Sequence, residues 1–142
     1  MAIDVNRVLH GDKGYVWVNG KLLSQLKSIE LKVTGNFEEL NFCGDSATYN
    51  RFTGWTGEGT MTLQKIDSTV LDLVGDSYNT SIMPNIKIIT KLTDDQTGKS
   101  ERVAVSDVII SEFMLAKFEG KAPVEEEIPI KFSHYEILEK IS

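Results

Sequence analysis

Alternation of apolar and polar residues with a period of two recurs at least six times along this chain, and no other feature restricts its fold as tightly. In the run from Lys27 to Thr34, Ile29, Leu31 and Val33 share one face while Glu30, Lys32 and Thr34 share the other. Such a segment buries one side only as a strand with one dry and one wet face, so the chain is expected to be mainly β. Helical spacing occurs at one place. Val70, Leu71, Val74 and Tyr78 follow at intervals of one, three and four behind a candidate cap at Asp67 or Ser68, which predicts a short helix over about 69–79 with Asp72 and Asp76 facing water.

The turns between strands are marked by residue type. Asn19-Gly20, between Tyr15-Val16-Trp17-Val18 and Lys21-Leu22-Leu23, is the dipeptide that best supplies the two positive φ angles of a type I′ hairpin. Gly35-Asn36 is expected to turn the chain into a further strand, Phe37 to Phe42. The stretch from Gly44 to Trp55 has no steady period and is expected to be a long loop or an extended excursion from the body. Strands then resume at 59–65, 85–93, 102–118 and 127–135, and Pro129 predicts that the last one begins or lies at an edge. About seven strands and one short flanking helix in 142 residues point to a single domain: two packed antiparallel sheets, a sandwich or partly closed barrel. Arms are expected at about 1–13 and 136–142.

A net charge of −6, with no cluster of Lys or Arg, argues against a grip on nucleic acid through its phosphates. No apolar run reaches the length of a membrane crossing. The lone cysteine, Cys43, closes no intrachain disulfide, and the first residues do not read as a signal peptide, so synthesis in a reducing cytoplasm is expected.

The residues that often carry chemistry favour plain readings. Gly98-Lys99-Ser100 has the tail of a phosphate-binding loop, but a strand pattern follows it and no helix N-terminus is there to hold phosphate. Gly54, Gly57 and Gly59 lack the dinucleotide spacing and read as a loop exit. His10 and His134 have no ligand-spaced partners, and Cys43 reads as a small, partly buried residue at a strand end. The Asn79-Thr80-Ser81 sequon has no use without secretion. Glu125-Glu126-Glu127 reads either as a solvated lead-in to a strand or as a subunit junction. No catalytic residue, cofactor or metal is expected. An acidic β domain with arms and an aromatic-bearing excursion has the anatomy of an assembly part.

Four segments in order, Gly11-Asp12-Lys13-Gly14-Tyr15-Val16-Trp17-Val18-Asn19-Gly20, Phe42-Cys43-Gly44 leading to Gly54-Trp55-Thr56-Gly57-Glu58-Gly59-Thr60-Met61-Thr62-Leu63, Gly98-Lys99-Ser100-Glu101-Arg102-Val103, and Glu125-Glu126-Glu127-Ile128-Pro129-Ile130-Lys131-Phe132, carry a resemblance. Together they resemble the tail tube proteins of contractile-tailed phages, in particular the short type of defective prophages and R-type bacteriocins. The resemblance implies two packed sheets flanked by a helix, built into hexameric rings that stack as a hollow tube through which DNA passes unbound. It further implies a place in the virion tail after assembly in the host cytoplasm, with sheath, tape measure, baseplate and terminator proteins as partners and no membrane.

Within that frame Tyr49, Arg51, Phe52 and Trp55 are candidates for ring stacking, since aromatic residues and arginine anchor interfaces. Glu30 and Lys32 are candidates for the lumen wall, joined by Glu39 and Asn41 from the strand expected next. Glu125, Glu126 and Glu127 are the junction candidates. The competing reading from another class is a monomeric β-barrel with a small apolar ligand in its mouth; an enzyme with a site assembled from scattered residues ranks third.

Overall fold

The computed structural model describes residues 5, 8, 9, 11–94 and 96–141; His10 and most of the expected N-terminal arm lie outside them. After a 3-10 turn at Gly11–Lys13 come β1 (Gly14–Val18), β2 (Lys21–Leu22), β3 (Leu26–Asn41) and β4 (Thr48–Gln64). The helical segments are α1 (Thr69–Val74) and α2 (Ser77–Thr80), followed by β5 (Ile86–Thr93), β6 (Ser100–Ile110), β7 (Glu125–Phe132) and β8 (His134–Glu139). All eight strands belong to one antiparallel sheet of order β2-β1-β5-β6-β7-β4-β3, with β8 also on β6, and the path stays open. The closed wall that a ligand-binding barrel needs is therefore missing from this strand path.

One continuous sheet makes two packed leaves because β6 is shared. Its first half pairs with β5 and β8 (Val105↔Ile88, Val105↔Tyr135), and its last residues pair with β7 (Ile109↔Lys131, Ile110↔Ile130). Between these halves Asp107 takes a positive φ of 52°, which short polar side chains tolerate, and the register against β5 slips between Ile86 and Ile88. Ser133 interrupts the partner strand at the same level, dividing β7 from β8. The leaf β2-β1-β5-β6-β8 and the leaf β6-β7-β4-β3 close over one core, in which Val16, Ile88 and Val105 of the first join Met61, Ile128 and Ile130 of the second. Val70 and Val74 bring α1 onto the same core.

Local expectations hold at two of the turns. Asn19 and Gly20 have φ of 51° and 85° and place Val18 opposite Lys21. The 94–99 segment is a hairpin loop: Asp94 N–H donates to the Lys99 carbonyl at 2.7 Å, and the carboxylate accepts from Gln96 N–H and the Thr97 hydroxyl. The helix breaks at Gly75 into two short pieces, and Asp67 Oδ1 accepts the Thr69 N–H at 3.1 Å.

Four expectations are corrected. The chain does not turn at Gly35-Asn36; β3 runs on to Asn41 and the turn comes at 42–47, where Gly44 has a φ of 83°. Residues 48–55 are not a loop but the first half of β4, and their irregular pattern has a physical cause. A bulge slips the register between Asn36↔Gly54 and Phe37↔Phe52, and the ribbon is exposed on both faces, so neither a steady phase nor a dry face is imposed. Residues 136–139 of the expected C-terminal arm belong to β8 (His134–Glu139), which pairs with β6. β7 is an interior strand despite Pro129, because Pro129 faces the side where β6 has just ended. Its carbonyl accepts from Ser111 N–H at 3.0 Å there, so the missing N–H deprives no ladder partner.

Gly57 shows what the glycines of β4 do: a Cβ there would come within 2.3 Å of the Phe132 ring, which is buried in the core. Gly57→Val is expected to lower stability by ~1–3 kcal/mol through overpacking, read as a lower urea midpoint with an unchanged slope.

Candidate functional site

Beyond the Gly57↔Phe132 pair, β4 loses its β7 partner, and β3 and β4 continue alone as a two-stranded hairpin to the turn at 42–47. Trp55 is still packed on the body, so the seven residues 48–54 of β4, at ~3.3 Å each, carry the ribbon about 20 Å past it. Phe37 packs on Phe52 at 5.6 Å and Phe42 on Tyr49 at 5.7 Å, yet all four remain exposed. Such pairs stiffen the ribbon without burying it. At the turn Asp45 accepts from the Tyr49 hydroxyl and from Ala47 N–H, which holds its carboxyl below the ordinary aspartate value and raises the Tyr49 hydroxyl above its own. Cys43 is exposed in this turn and not partly buried, because the strand it was expected to end is the tip of a ribbon in water.

The four stacking candidates divide. Tyr49, Arg51 and Phe52 lie on the free ribbon, Arg51 opposite Glu38. Trp55 sits at its root, stacked edge-on to Tyr135 at 5.2 Å and near Phe132 at 6.2 Å, packed against the core. The four lumen candidates divide as well. Because β3 is one strand, strict alternation puts Glu39 and Asn41 on the face of Ile29 and Leu31, opposite Glu30 and Lys32. What Glu30 and Lys32 share their face with was not anticipated: Glu58 pairs with Lys32 at 3.5 Å and stands opposite Lys131, and Thr60, Pro129 and Glu127 complete the wall. The signal for Glu58 was present in Glu58, Thr60 and Thr62 alternating with Gly59, Met61 and Leu63.

The acidic run also divides. Glu125 accepts from Lys27 Nζ at 2.7 Å and from Gln64, and the Lys27 ammonium holds its carboxyl below the ordinary glutamate value. Glu126 points inward, 5% exposed, and meets Lys65 Nζ at 3.2 Å while its Oε2 has no hydrogen-bond partner. Glu127 is exposed. His134 meets Asp107 at 3.0 Å at the hinge between the leaves. Among the described residues no group of three or more His, Cys, Asp or Glu is placed to hold a metal.

A sheet with one edge, β3, open for its whole length and a projecting aromatic ribbon is the anatomy of a subunit completed by other copies. The comparisons with known proteins agree. The phage tail tube protein family matches residues 1–139, and the chain belongs to that family. It is 28% identical over its whole length to the phage-like element PBSX protein XkdM of Bacillus subtilis strain 168, covering 98% of that protein. Its fold matches a chain of the PVC sheath–tube complex of an extracellular contractile injection system, in the extended state, with a TM-score of 0.76, 12% identity and coverage of 96% and 95%. A chain of the SPP1 tail tube matches with a TM-score of 0.68 and 10% identity, over 95% of this chain and 81% of that one. The protein is thus a structural subunit of a tail tube.

Two outcomes follow from the ion pairs. Lys65→Met strands the buried Glu126 carboxylate and is expected to cost about 3 kcal/mol, the low end for a broken buried pair because the lysine is partly exposed. Lys32→Met, in an exposed pair, is expected to cost under about 1 kcal/mol in the same denaturation series. The Asp45 contact follows the sign of a lowered carboxyl: it is fully present above the ordinary aspartate range and is lost as pH falls through the lowered value. The Tyr49 ring resonances are expected to hold steady down to about pH 4 and to shift below it, with the step absent in Asp45→Asn.

Proposed function

We propose that this chain forms hexameric rings that stack into the inner tube of a contractile phage or phage-like tail. The observation that carries the reading is the hairpin of β3 and β4: an exposed aromatic ribbon is a poor feature for a lone subunit and a suitable one for reaching into the next ring. The open β3 edge and the short end of β6 bound the second leaf on its two sides, so edge pairing between neighbours closes that leaf into a continuous inner barrel. Its outer face, with Glu30, Glu58 and Glu127 against Lys32 and Lys131, then lines the lumen. The excess of acid repels phosphate within about a Debye length, ~8 Å at physiological salt, so DNA passes without adhering.

In this arrangement Tyr49, Arg51 and Phe52 make the stacking contacts and Trp55 anchors the ribbon that presents them. Glu39 and Asn41, on the opposite face, leave the lumen set. Glu127 is the member of the acidic run without a salt bridge among the described residues; it lies on the lumen face where β6 no longer covers β7, which makes it the one left to meet a neighbouring subunit there. The sheath, tape measure, baseplate and terminator proteins are the partners of such a tube, as the sheath–tube relative suggests for the sheath.

Negative-stain electron microscopy at high concentration, with light scattering on the same sample, tests the reading. Hollow rings or tubes of uniform diameter are expected; a strict monomer at every concentration, even with preformed tail tubes as seeds, would overturn it. Tyr49→Ala with Phe52→Ala is expected to leave a folded protein that forms no long tubes, and tubes of normal length from that variant would remove the hairpin's assigned role.

A further inference from the structure

Folding gathers a cluster of cations from positions far apart in the sequence. On the first leaf Lys91 of β5 lies opposite Arg102 of β6, and Arg102 lies opposite Glu139 of β8. Alternation puts these three on the face away from the core, because Ile88 and Val105, of the other parity on the same strands, are buried in it. The 94–99 hairpin loop brings Lys99 to the same end of the leaf, and Lys140 directly follows β8. Together with Gly98 and Ser100 these residues line an open cleft of about 510 Å³.

The cleft holds four of the chain's 15 Lys and Arg residues against one acid, Glu139, in a chain whose net charge is −6. None of the five forms a salt bridge among the described residues. The nearby acids do not neutralise the cluster. Glu101 pairs with Leu92 on the other parity, Glu136 shares the face further along the strands, opposite Ala104, and the Asp94 carboxylate accepts from Gln96 and Thr97 within its own loop. Arg102 Nε is closed to solvent and has no hydrogen-bond partner, so packing holds this side chain while its charge stays unmatched. Like charges gathered in one cleft repel, and a ligand bearing two or more negative groups relieves that repulsion.

Position selects the ligand. Two leaves packed over one core have their outer faces on opposite sides of the molecule, so the cleft is turned away from the face of Glu30, Lys32 and Glu58. DNA in the lumen does not reach it. Neighbouring strands lie ~4.8 Å apart, and alternate side chains of an extended segment ~6.6 Å apart, so a segment crossing β5 and β6 sets successive carboxylates near Lys91 and Arg102. A guanidinium takes a carboxylate through two parallel hydrogen bonds. This chain's own alternating pair, Glu125 and Glu127, lies on the second leaf, with Glu125 bound to Lys27. We infer that the cleft binds an acidic segment, with aspartate or glutamate at alternate positions, of a different protein lying against the outside of the tube. The inference rests on the assignment of the second leaf to the lumen and adds a site on the opposite face.

The unassembled chain tests this with a fluorescein-labelled decapeptide of alternating aspartate and serine. Saturable anisotropy that weakens as salt rises is expected, and none when asparagine replaces aspartate. Lys91→Gln with Arg102→Gln is expected to raise the Kd at least about tenfold. Because Arg102 is partly buried, Lys99→Gln with Lys140→Gln, both exposed, supplies a second pair that is expected to weaken binding with the unfolding midpoint unchanged. Lys32→Gln with Lys131→Gln, on the opposite face, is expected to bind as the parent does. Binding unchanged in both cleft pairs would overturn the inference, and so would tighter binding of a single-stranded DNA of equal charge. Pelleted tubes are expected to take up the peptide as free subunits do; loss of uptake on assembly would place the cleft between subunits and overturn the outer site. A chain that binds the peptide but never forms tubes would support the cleft while removing the tube on which its outward position rests.

Discussion

The architecture depends on β6 being held by two partners in succession. Its first residues complete a leaf with β5 and β8, its last residues complete another with β7, and the change is made at Asp107, where a positive φ is tolerated by a short acidic side chain. Without that break the eight strands would continue as a single open sheet with a wet and a dry side, and the dry side would have nothing to pack against. With it, Ile88 and Val105 come over Ile128 and Ile130, and one core closes. The helix is an addition to this core, contributing Val70 and Val74, which explains how two short, weakly capped pieces persist.

The same construction sets the limits of the core. Phe132 is the last residue of β7 and is buried; past it β3 and β4 have lost the leaf that would cover them, and their aromatic residues beyond Trp55 stay in water. A long open edge and exposed rings expose an isolated subunit to uncontrolled pairing. Charge moderates this: Glu38, Glu39 and Arg51 on the ribbon and Lys32 and Glu58 below it punctuate the apolar positions, so assembly is directed to partners that meet both apolar surface and charge.

The electrostatics divide by depth in the same leaf. Outside, Lys32, Glu58 and Lys131 alternate across neighbouring strands, each screened and individually weak. Inside, Glu126 is buried at the end of the core and meets one partly exposed lysine, Lys65. Three consecutive glutamates thus have three different fates: bound to Lys27, buried against Lys65, or free in solvent.

Alternation and turn chemistry are local, and much of what depends on them was legible in the sequence, although Gly35-Asn36 has the residues of a turn and lies inside β3. That includes the mainly antiparallel β fold, the Asn19-Gly20 hairpin, the loop at 94–99, the short helix and the exclusion of a phosphate loop at Lys99. The resemblance of ordered segments to tail tube proteins pointed to the family that matches residues 1–139. Register is not local. Whether residues 44–55 are loop or strand, whether Glu39 shares a face with Glu30, and whether Trp55 belongs to the ribbon or to its root depend on where β3 meets β4 and where β7 stops. The sequence determined which residues alternate and where the chain can turn, since sterics and side-chain polarity act within a few residues. Tertiary structure alone decided which strands lie beside one another and which apolar face is left uncovered, because pairing and burial are made between residues far apart in the chain.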